Sequence, residues 1–516
     1  MARVWLEGLG AGQPEIALVY PGPRRIGIEN LGLHAAFRGL NRLSFVDIFF
    51  TDTPRGIRSG KALYEFPLIF FSFSYEPDYL PALRFMRAEG IELDRRKRGL
   101  HLLFAGGIAP SANPFPLWHT FDAVLVGEAE AIIPFLETGI YEERQRFLSF
   151  LSDKPWAWLP GHKEHAERAR LVDITQTDAF SAFVEHDSFF RGEFLVEVSR
   201  GCPNRCRFCL LGFSNLPPRF LPGEIVLDLL GQLPVGLTKQ AGLVGSAIAE
   251  HPDIREILVK SPQHLFLNPS SLNASALSPE LLDLFARRGA KTLTVAPEVA
   301  SDSLRSSLNK PFGNERILDV ACWAKDAGFG SLKLYYMIGL PGETDSDIRA
   351  ISSQVKEVKR VFKRRVRVTV SPFVPKAGTP FYRAPFLSEA DYRKKLTLLN
   401  FPKDVMHRVH GYRKAREEAI LSRGDQLVSA ALLLAAQEDV ALSSGMKKAG
   451  ALPSLYLDDP GYPLTAPFLR ISSGVSADFL DSEWRRAMKG ETMPPCPPGR
   501  NGPGLAGCGE CGACGT

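Results

Sequence analysis

Three cysteines fall within one short segment, RGCPNRCRFCLLG at residues 200–212. They are Cys202, Cys206 and Cys209, with the spacing C-x3-C-x2-C. A structural zinc site is closed by four protein ligands, and an iron–sulfur cluster without an external ligand usually takes four cysteines. A cluster held by three thiolates therefore keeps one iron open, where a small molecule can bind. The alternative is a zinc site whose fourth ligand lies far away in the sequence.

A second cysteine set lies in the last residues, CPPGRNGPGLAGCGECGACGT. Its members are Cys496, Cys508, Cys511 and Cys514, spaced C-x11-C-x2-C-x2-C. A Gly/Pro-rich segment cannot fold around itself without a cross-link, so the four soft ligands predict a metal. Zinc and an auxiliary iron–sulfur cluster both satisfy the pattern, and a disordered, metal-free tail is the alternative. We expect this set to bind its metal independently of the triplet.

The cysteines also indicate the compartment. Seven of the eight cysteines form two short clusters, which suits metal binding in a reducing environment better than a disulfide framework. The eighth, Cys322, lies on a predicted helix, and we expect it in the hydrophobic core. The sequence begins with no basic region followed by an apolar one, and no apolar stretch is long enough to span a bilayer. We therefore predict a cytoplasmic protein without a membrane partner.

The elements that must position these residues show β/α alternation. Apolar runs at residues 16–20, 45–50, 68–74, 101–107 and 122–130 alternate with helical patterns and predict a Rossmann-like parallel sheet in a domain of residues 1–140. Gly106, Gly107 and Gly127 lie where strands end, which is the edge at which open α/β sheets bind ligands. Turn geometry is the alternative for Gly106 and Gly107.

A second alternating series follows a linker with some helix at residues 141–188. Its predicted strands are residues 194–199, 241–246, 264–269, 291–297, 331–339 and 366–373. This pattern predicts a partial (β/α)6 TIM-type barrel over residues 189–400, with chemistry at the carboxyl ends of its strands. The cysteine triplet follows the first of these strands. A helical region at 401–490 and a Cys-rich tail at 491–516 complete the predicted α/β protein.

Composition leaves the partner open. Of 516 residues, 62 are Lys or Arg and 57 are Asp or Glu, and a surplus of +5 does not imply a nucleic-acid or membrane partner. KEVKRVFKRRVRV (356–368) and RRKR (95–98) are locally basic. For both runs we favour a solvated helix face over an RNA-binding surface.

The triplet resembles the motif of the radical SAM superfamily, C-x3-C-x-aromatic-C, with Phe208 as the aromatic residue beside the cofactor. The resemblance implies that three thiolates hold a [4Fe-4S] cluster and that S-adenosylmethionine (SAM) chelates the fourth iron. It also implies reductive cleavage of SAM to a 5′-deoxyadenosyl radical, with an electron donor such as flavodoxin or ferredoxin. The protein would supply binding and orientation for the chemistry of these cofactors.

Other segments extend the resemblance, among them TLTVAPEVASDSLRSSLNK and LKLYYMIGLPGETDSDI. Gly245 and Ser246 take the place of the glycine-rich motif at the SAM amino group, although the usual G-G-E is absent. By the same resemblance, the remaining SAM contacts are Glu298, Ser301 and Arg305 after the fourth barrel strand and Gly339 and Gly342, which match the segment that packs on adenine. A structural ion pair is the alternative for Glu298 and Arg305.

The first domain resembles the cobalamin-binding-type domain of a largely uncharacterised radical SAM subfamily, through FSFSYEPDYLPALRFMRAEGI, FAGGIAPSANPFPL and FDAVLVGEAE. The D-x-H-x-x-G motif of cobalt-ligating domains does not occur in the sequence. His34 lacks the flanking Asp and Gly, and a lone helical His usually packs or lies at the surface. We expect cobalamin to bind without a protein ligand to cobalt, or not to bind.

These features predict an enzyme that cleaves SAM to start radical chemistry on an unknown substrate. If cobalamin binds, methylation of an unactivated carbon is expected. If it does not, and the tail holds an auxiliary cluster, RNA modification resembling that of methylthiotransferases becomes more plausible. A non-catalytic iron–sulfur scaffold or electron carrier is a further alternative, and GLPGET and APEVASDSLR argue against it.

Overall fold

The computed structural model describes residues 14–234, 236–310, 312–458 and 466–496. The strands are β1 (Pro14–Tyr20), β2 (Phe45–Phe50), β3 (Leu68–Ser72), β4 (Leu102–Gly106), β5 (Ala123–Leu125), β6 (Ala157–Trp158), β7 (Ala166–Glu167), β8 (Phe194–Arg200), β9 (Arg219–Phe220), β10 (Gln240–Gly245), β11 (Phe266–Pro269), β12 (Thr292–Glu298), β13 (Ser331–Ile338), β14 (Arg365–Pro372), β15 (Met406–Val409) and β16 (Ile471–Ser472).

The α-helices are α1 (Arg24–Gly27), α2 (Leu31–Leu43), α3 (Tyr79–Ala88), α4 (Ile108–Ala112), α5 (Ala129–Ile132), α6 (Arg144–Ser152), α7 (Leu210–Ser214), α8 (Gly223–Gly231), α9 (Ile254–Lys260), α10 (Pro279–Arg287), α11 (Asp302–Ser307), α12 (Asn314–Asp326), α13 (Asp345–Phe362), α14 (Glu389–Thr397), α15 (Tyr412–Arg423), α16 (Gln426–Gln437), α17 (Leu442–Ala449), α18 (Ser454–Leu457) and α19 (Ala477–Met488). None of these described helices combines the length and hydrophobicity needed to cross a bilayer.

The first sheet has the strand order β2-β1-β3-β4-β5-β6, and all of its pairs are parallel except β5 with β6. The five predicted strands are confirmed, and the order of the first five is that of a doubly wound sheet, which binds ligands beyond its carboxyl edge. Both faces are apolar. Ile16 and Leu18 pack on one side with Phe37, whereas Ala17 and Val19 pack on the other.

The second β/α unit is a partial barrel of two four-stranded sheets, β11-β10-β8-β9 and β12-β13-β14-β15, which a parallel bridge between Leu272 and Val295 joins. The six predicted strands are confirmed. The prediction that the chain turns helical at about residue 400 is wrong at its start, because β15 pairs in parallel with β14. Met406, His407 and Arg408 are exposed, so this edge strand has no apolar alternation that could reveal it.

The C-terminal helices connect the two sheets. Asn113, after α4, donates from its amide nitrogen to the carbonyl oxygens of Ser422 and Gly424 beside α15, at 3.0 and 2.8 Å. Helices α15 to α17 also share an apolar cluster with α3. Cys322 does lie on α12, but it is half-buried at the edge of the core and not inside it as expected.

Candidate cluster-binding and active site

The cysteine loop begins directly after β8, at the carboxyl end of the first barrel strand. Gly201 has φ +82°, and a Cβ there would meet the carbonyl oxygen of Asn215 at 2.2 Å, so only glycine allows this turn. Within the loop, the amide of Cys209 donates to the carbonyl of Cys206 at 2.9 Å. The structure therefore brings Cys202, Cys206 and Cys209 together at one end of the barrel.

The three thiols lie in surroundings that disfavour free thiolates. Burial raises the pKa of Cys202 to about 12, and it also raises the pKa of Cys206 and Cys209. A bound cation is therefore needed to hold them as thiolates at neutral pH. Among the described residues, no three His, Cys, Asp or Glu side chains converge on one metal ion.

Arg207, inside the cysteine motif, fastens the loop to the protein. Its guanidinium is fully buried and donates to the Glu483 carboxylate at 3.0 Å and to the carbonyls of Ser307 and Glu491 at 3.0 and 2.8 Å. Phe208 is partly buried and packs against an apolar cluster that includes Leu308 and Phe381. Arg207 was not among the site residues predicted from the sequence. A basic residue between cluster cysteines was the available signal, but its buried acidic partner lies 276 positions away in the sequence.

Glu250 is a second missed residue, in the loop after β10. Its Oε1 accepts from Asn204 at 2.7 Å and from Asn273 at 2.8 Å, and Asn204 also lies 3.5 Å from the Cys202 sulfur. The other oxygen, Oε2, is buried and has no hydrogen-bond partner among the residues that the structure describes. A buried carboxylate oxygen that lacks a partner can accept a ligand donor. The signal was the carboxylate in GSAIAE, five residues beyond Gly245.

Glu298, the last residue of β12, and Arg305, in α11, belong to two different ion pairs. Glu298, with φ +66°, binds Lys310 at 3.0 Å. Burial alone would lower the pKa of Lys310, but Glu298 and Cys206 outweigh it and raise that pKa. Arg305 is fully buried and pairs with Asp302 at 2.5 Å, not with Glu298. The alternative of structural ion pairing thus fits the contacts of both residues, with different partners.

The other residues expected at SAM have clear backbone roles. Ser301 caps α11 by accepting from the Leu304 amide at 3.4 Å. A Cβ at Gly245 would meet the Ser199 hydroxyl at 2.2 Å, so this glycine permits β10 to approach β8. Gly339 and Gly342 have φ of +89° and +75° and line a polar cavity of about 490 Å³. Ser246 follows β10 at the same barrel end and is half-buried.

A cavity of about 390 Å³ lies where the carboxyl edges of the two sheets face each other. Mostly apolar side chains of the first sheet and α2 line it, including Leu18, Ala36 and Phe70, and the barrel contributes Glu197 and Val244. Its size and lining are those of a small-molecule site. Because both the Rossmann-like sheet and the barrel contribute to its lining, the cavity connects the edge of the sheet with the mouth of the barrel.

The three glycines at this edge, Gly106, Gly107 and Gly127, differ in whether a side chain would fit at their position. A Cβ at Gly107 would lie 2.2 Å from the Phe73 carbonyl oxygen, and one at Gly127 would lie 2.3 Å from that of Ala169, so close backbone packing requires both glycines. Gly106 lines the cavity, and a Cβ there would meet only the Leu125 carbonyl, at 3.8 Å. Of the three, only Gly106 could be substituted so that the cavity becomes smaller while the backbone stays undisturbed.

His34 is a packing residue, as expected. It is fully buried on α2, and its two ring nitrogens bond to the Ile28 carbonyl and the Ala182 amide, both at 2.8 Å. Burial is the main cause that lowers its pKa to about 3. Both nitrogens are engaged with the backbone, so His34 is not available as a cobalt ligand in this arrangement.

Beside the cavity, charged residues join the sheet to the barrel. Glu128 follows β5 and binds Arg168, Arg200 and Arg219 at 3.1, 2.7 and 2.7 Å. Burial would raise the pKa of this carboxyl group, but the three guanidinium groups lower it to about 2. Both basic and acidic members are buried, so the cluster fixes the geometry of the junction.

The start of the C-terminal tail lies on the cysteine loop. The Cys496 amide donates to the Pro203 carbonyl at 2.8 Å, and Arg205 donates to the Pro494 carbonyl at 2.5 Å. Cys496 itself is buried. Cys508, Cys511 and Cys514 lie outside the described residues. These contacts do not test metal binding, so the expected independence of the two cysteine sets stays a prediction.

Two protein-family models match this chain. One, for the radical SAM superfamily, matches residues 196–355, and one, for the N-terminal region of radical SAM proteins, matches residues 53–160. An uncharacterised protein of Methanocaldococcus jannaschii is 28% identical over 80% of this chain and 89% of its own length. The ribosomal protein uS12 methylthiotransferase of Desulfotalea psychrophila is 25% identical over 37% of this chain and 45% of that enzyme.

Solved structures resemble the whole fold. A radical SAM methyltransferase, TsrM from Kitasatospora setae, with cobalamin and a [4Fe-4S] cluster bound, has a TM-score of 0.55 at 13% identity and covers 85% of this chain and 99% of its own. The cobalamin-dependent SAM radical enzyme OxsB, with aqua-cobalamin bound, has a TM-score of 0.53 at 13% identity and covers 92% of this chain and 80% of its own.

The fold and the loop together define an α/β protein with a partial barrel and a loop of three cysteines after the first barrel strand. The chain belongs to the radical SAM superfamily, and it is a radical SAM enzyme. Enzymes of this superfamily use a [4Fe-4S] cluster and SAM, and they need a reductant.

Proposed function

We propose that Cys202, Cys206 and Cys209 hold the [4Fe-4S] cluster and leave one iron to SAM. The position of all three on the loop after β8 supports this assignment, as does the burial that disfavours free thiolates. When bound, the cluster supplies the electron that cleaves SAM. The protein contributes Arg207, which holds the loop in place, and Lys310, whose ammonium group lies within electrostatic range of Cys206.

For SAM itself we propose contacts around the same end of the barrel. Phe208, Gly245, Ser246, Glu298, Ser301, Gly339 and Gly342 keep the roles expected from the resemblance. The unpartnered Oε2 of Glu250 supplies the carboxylate that the missing G-G-E motif would have provided for the SAM amino group. Arg305 acts as a positioning residue, since its guanidinium bonds to Asp302 and the Val299 carbonyl.

We propose that the cavity between the two sheets binds cobalamin and that the enzyme transfers a methyl group to an unactivated carbon. The observation that carries this proposal is the cavity itself, which joins the carboxyl edge of the first sheet to the barrel mouth. Cobalamin is bound in TsrM and OxsB, whose folds this chain shares. His34 is engaged by the backbone, which supports cobalamin binding without a protein ligand to cobalt.

RNA modification of the methylthiotransferase kind has less support. The matches to such enzymes cover at most 37% of this chain and less than half of each enzyme. The scaffold and electron-carrier alternative is not favoured for a radical SAM enzyme. We further propose that flavodoxin or ferredoxin reduces the cluster in the cytoplasm, and that Cys496, Cys508, Cys511 and Cys514 hold zinc or an auxiliary cluster.

The test is anaerobic reconstitution with iron, sulfide and cobalamin, followed by iron and corrinoid analysis. Gly106→Val should abolish corrinoid binding, because its side chain would enter the cavity. Gly99→Val is the matched control, since its Cβ would meet no atom within 4 Å and its position lies outside the cavity lining. Iron content reports an intact barrel in both variants. Equal corrinoid content in the two variants would refute the assignment of this cavity.

A further inference from the structure

The concave face of strands β13 to β15 carries charge where a closed barrel would carry aliphatic residues. On β13, Leu332, Leu334 and Tyr336 belong to the apolar cluster under the outer helices. Side chains alternate along a strand, so Lys333 and Tyr335 face the inside of the barrel. Both are half-buried, as expected for side chains that line an open chamber.

The neighbouring strands add further positive charge to the same face. On β14, Val366 and Val368 pack outward, which places Arg365 and Arg367 on the concave side. Lys333 is the register partner of Arg367 on β14. Arg408 of β15 pairs with Thr369, which lies two residues beyond Arg367 on the same face of β14. Adjacent strands lie about 4.8 Å apart, so these cations form one compact group. We call Lys333, Arg365, Arg367 and Arg408 the concave basic patch.

This placement revises the interpretation of the basic run at residues 356–368. Helix α13 ends at Phe362, and Lys356 and Arg360 lie exposed on it, as a solvated helix face would have them. Arg365 and Arg367 are in β14 instead and face the chamber. The RRKR run differs again, because Arg98 is buried and binds Asp122 at 2.7 Å.

The concave basic patch has no acidic partners within the described part of the chain. None of its four members takes part in an ion pair between described residues, whereas Glu197, on the β8 side of the barrel, is bound to Arg200 at 2.6 Å. The Arg367 Nε is buried and has no hydrogen-bond partner among the described residues. The Nε of several other arginines in the described part of the chain is in the same state, so this nitrogen adds an available donor to the patch but does not by itself mark a site.

The patch is reachable. Lys333, Arg365 and Arg367 lie within the first three residues of β13 and β14, so the patch lies at the amino-terminal part of these strands, below the strand ends that carry the cysteine loop. The Lys333 ammonium lies 4.7 Å from the ring centroid of Tyr335, two residues nearer the carboxyl end of β13. Arg408 and the adjacent Lys414 are exposed at the edge of the barrel. Burial is the main cause that lowers the pKa of His410, and the charges of Arg408, Lys414 and Lys333 lower it further, so these cations converge on one region. The carboxylate of Glu418 opposes this shift, and it is itself paired with Lys376.

We propose that the concave basic patch binds a phosphate group of the substrate, an inference that rests on the barrel being the active site of the proposed enzyme. A phosphate monoester carries nearly two negative charges and three acceptor oxygens at neutral pH, which match several unpaired cations in one place. Arginine side chains also present planar donor pairs that fit phosphate. A phosphorylated small molecule and a polynucleotide both offer this group.

The experiment uses the full-length, anaerobically reconstituted holoenzyme in phosphate-free buffer. Calorimetric titration with pyrophosphate compares the wild type with the double variant Lys333→Met/Arg367→Met. The control, Lys356→Met/Arg360→Met, removes two charges from the exposed helix of the same basic run. We expect the patch variant to bind pyrophosphate about tenfold more weakly or worse, and the control to bind it as the wild type does. Iron content and the thermal midpoint check the fold of each variant.

Competition experiments separate the two sources of phosphate. Displacement of pyrophosphate by adenosine monophosphate assigns the patch to a small molecule, and displacement by bulk tRNA alone assigns it to a polynucleotide. If the patch variant binds pyrophosphate as tightly as the control does, or the wild type binds none of the probes, the proposal is wrong. 5′-Deoxyadenosine formation by the wild type is measured separately. If no 5′-deoxyadenosine formed, the cluster assignment would be wrong, but the pyrophosphate titration would still test the patch.

Discussion

The two parallel sheets of this protein differ in what their faces bury. In β4 of the first sheet, Leu103 packs on one face and Phe104 on the other, each in its own apolar cluster. In β13 of the barrel, Leu334 packs outward while Lys333 and Tyr335 face an open interior. A sheet that is covered on both faces can bind a ligand only at its edge, whereas a partial barrel can also bind one on its concave face. The first sheet can therefore hold a ligand only at its edge, whereas the barrel has room to surround one.

The junction between the sheets gives the largest expected effect. Replacing Glu128 by Gln leaves three buried arginines without their shared carboxylate, and breaking a buried ion pair in this way costs about 3–5 kcal/mol of unfolding free energy. Denaturant unfolding of the purified protein measures it. Glu280→Gln is the control, since Glu280 pairs with Arg255 at the surface and should change stability by less than about 1 kcal/mol. Equal losses would show that the junction is not a special point of the fold.

The same carboxylate predicts a pH dependence. The pKa of Glu128 is lowered to about 2 in the folded protein, below the ordinary value of 4.5. Its contribution to stability is therefore complete above about pH 4.5 and is lost as the pH falls toward 2. In Glu128→Gln, the part of the acid destabilisation that lies in this window should disappear. Unfolding curves at several pH values between 5 and 2 measure the difference, and parallel curves for both proteins would contradict the assignment.

The two faces of β13 should respond differently to truncation. Leu334 is fully buried, so Leu334→Ala should cost about 2–5 kcal/mol of unfolding free energy. Lys333→Met keeps a side chain of similar length on the open face and should change stability by about 0.5 kcal/mol or less. Thermal unfolding of the two variants provides the comparison. A larger loss for Lys333→Met than for Leu334→Ala would mean that the concave face is a packed core.

His34 should matter for stability but not for cobalt. His34→Ala leaves the Ile28 carbonyl and the Ala182 amide without a partner, at a cost of about 1–3 kcal/mol. Corrinoid content and the EPR spectrum of Co(II) should be unchanged in the variant at low temperature, where both proteins are folded. Superhyperfine splitting from a histidine nitrogen in the wild type, lost in the variant, would identify His34 as a cobalt ligand.

Much of the fold follows from local signals. Eleven strands were predicted because their apolar runs alternate with helical patterns. Strand β15 was not, because three of its four residues, Met406, His407 and Arg408, are exposed and show no apolar alternation. The cysteine loop was identified by its spacing. Arg207, Glu250 and Lys310 were missed, since each acquires its meaning from partners distant in sequence. The same holds for the concave basic patch, whose members became one group only through strand register.

The central claim is that Cys202, Cys206 and Cys209 hold a cluster with one iron open to SAM. Its most direct test is 5′-deoxyadenosine formation from SAM and dithionite after anaerobic reconstitution, by the wild type, the three single alanine variants and Cys322→Ala as the control cysteine. We predict product from the wild type and the control, and none from the loop variants, which should also lose the EPR signal of the reduced cluster. SAM cleavage at the wild-type rate by any loop variant would contradict the account.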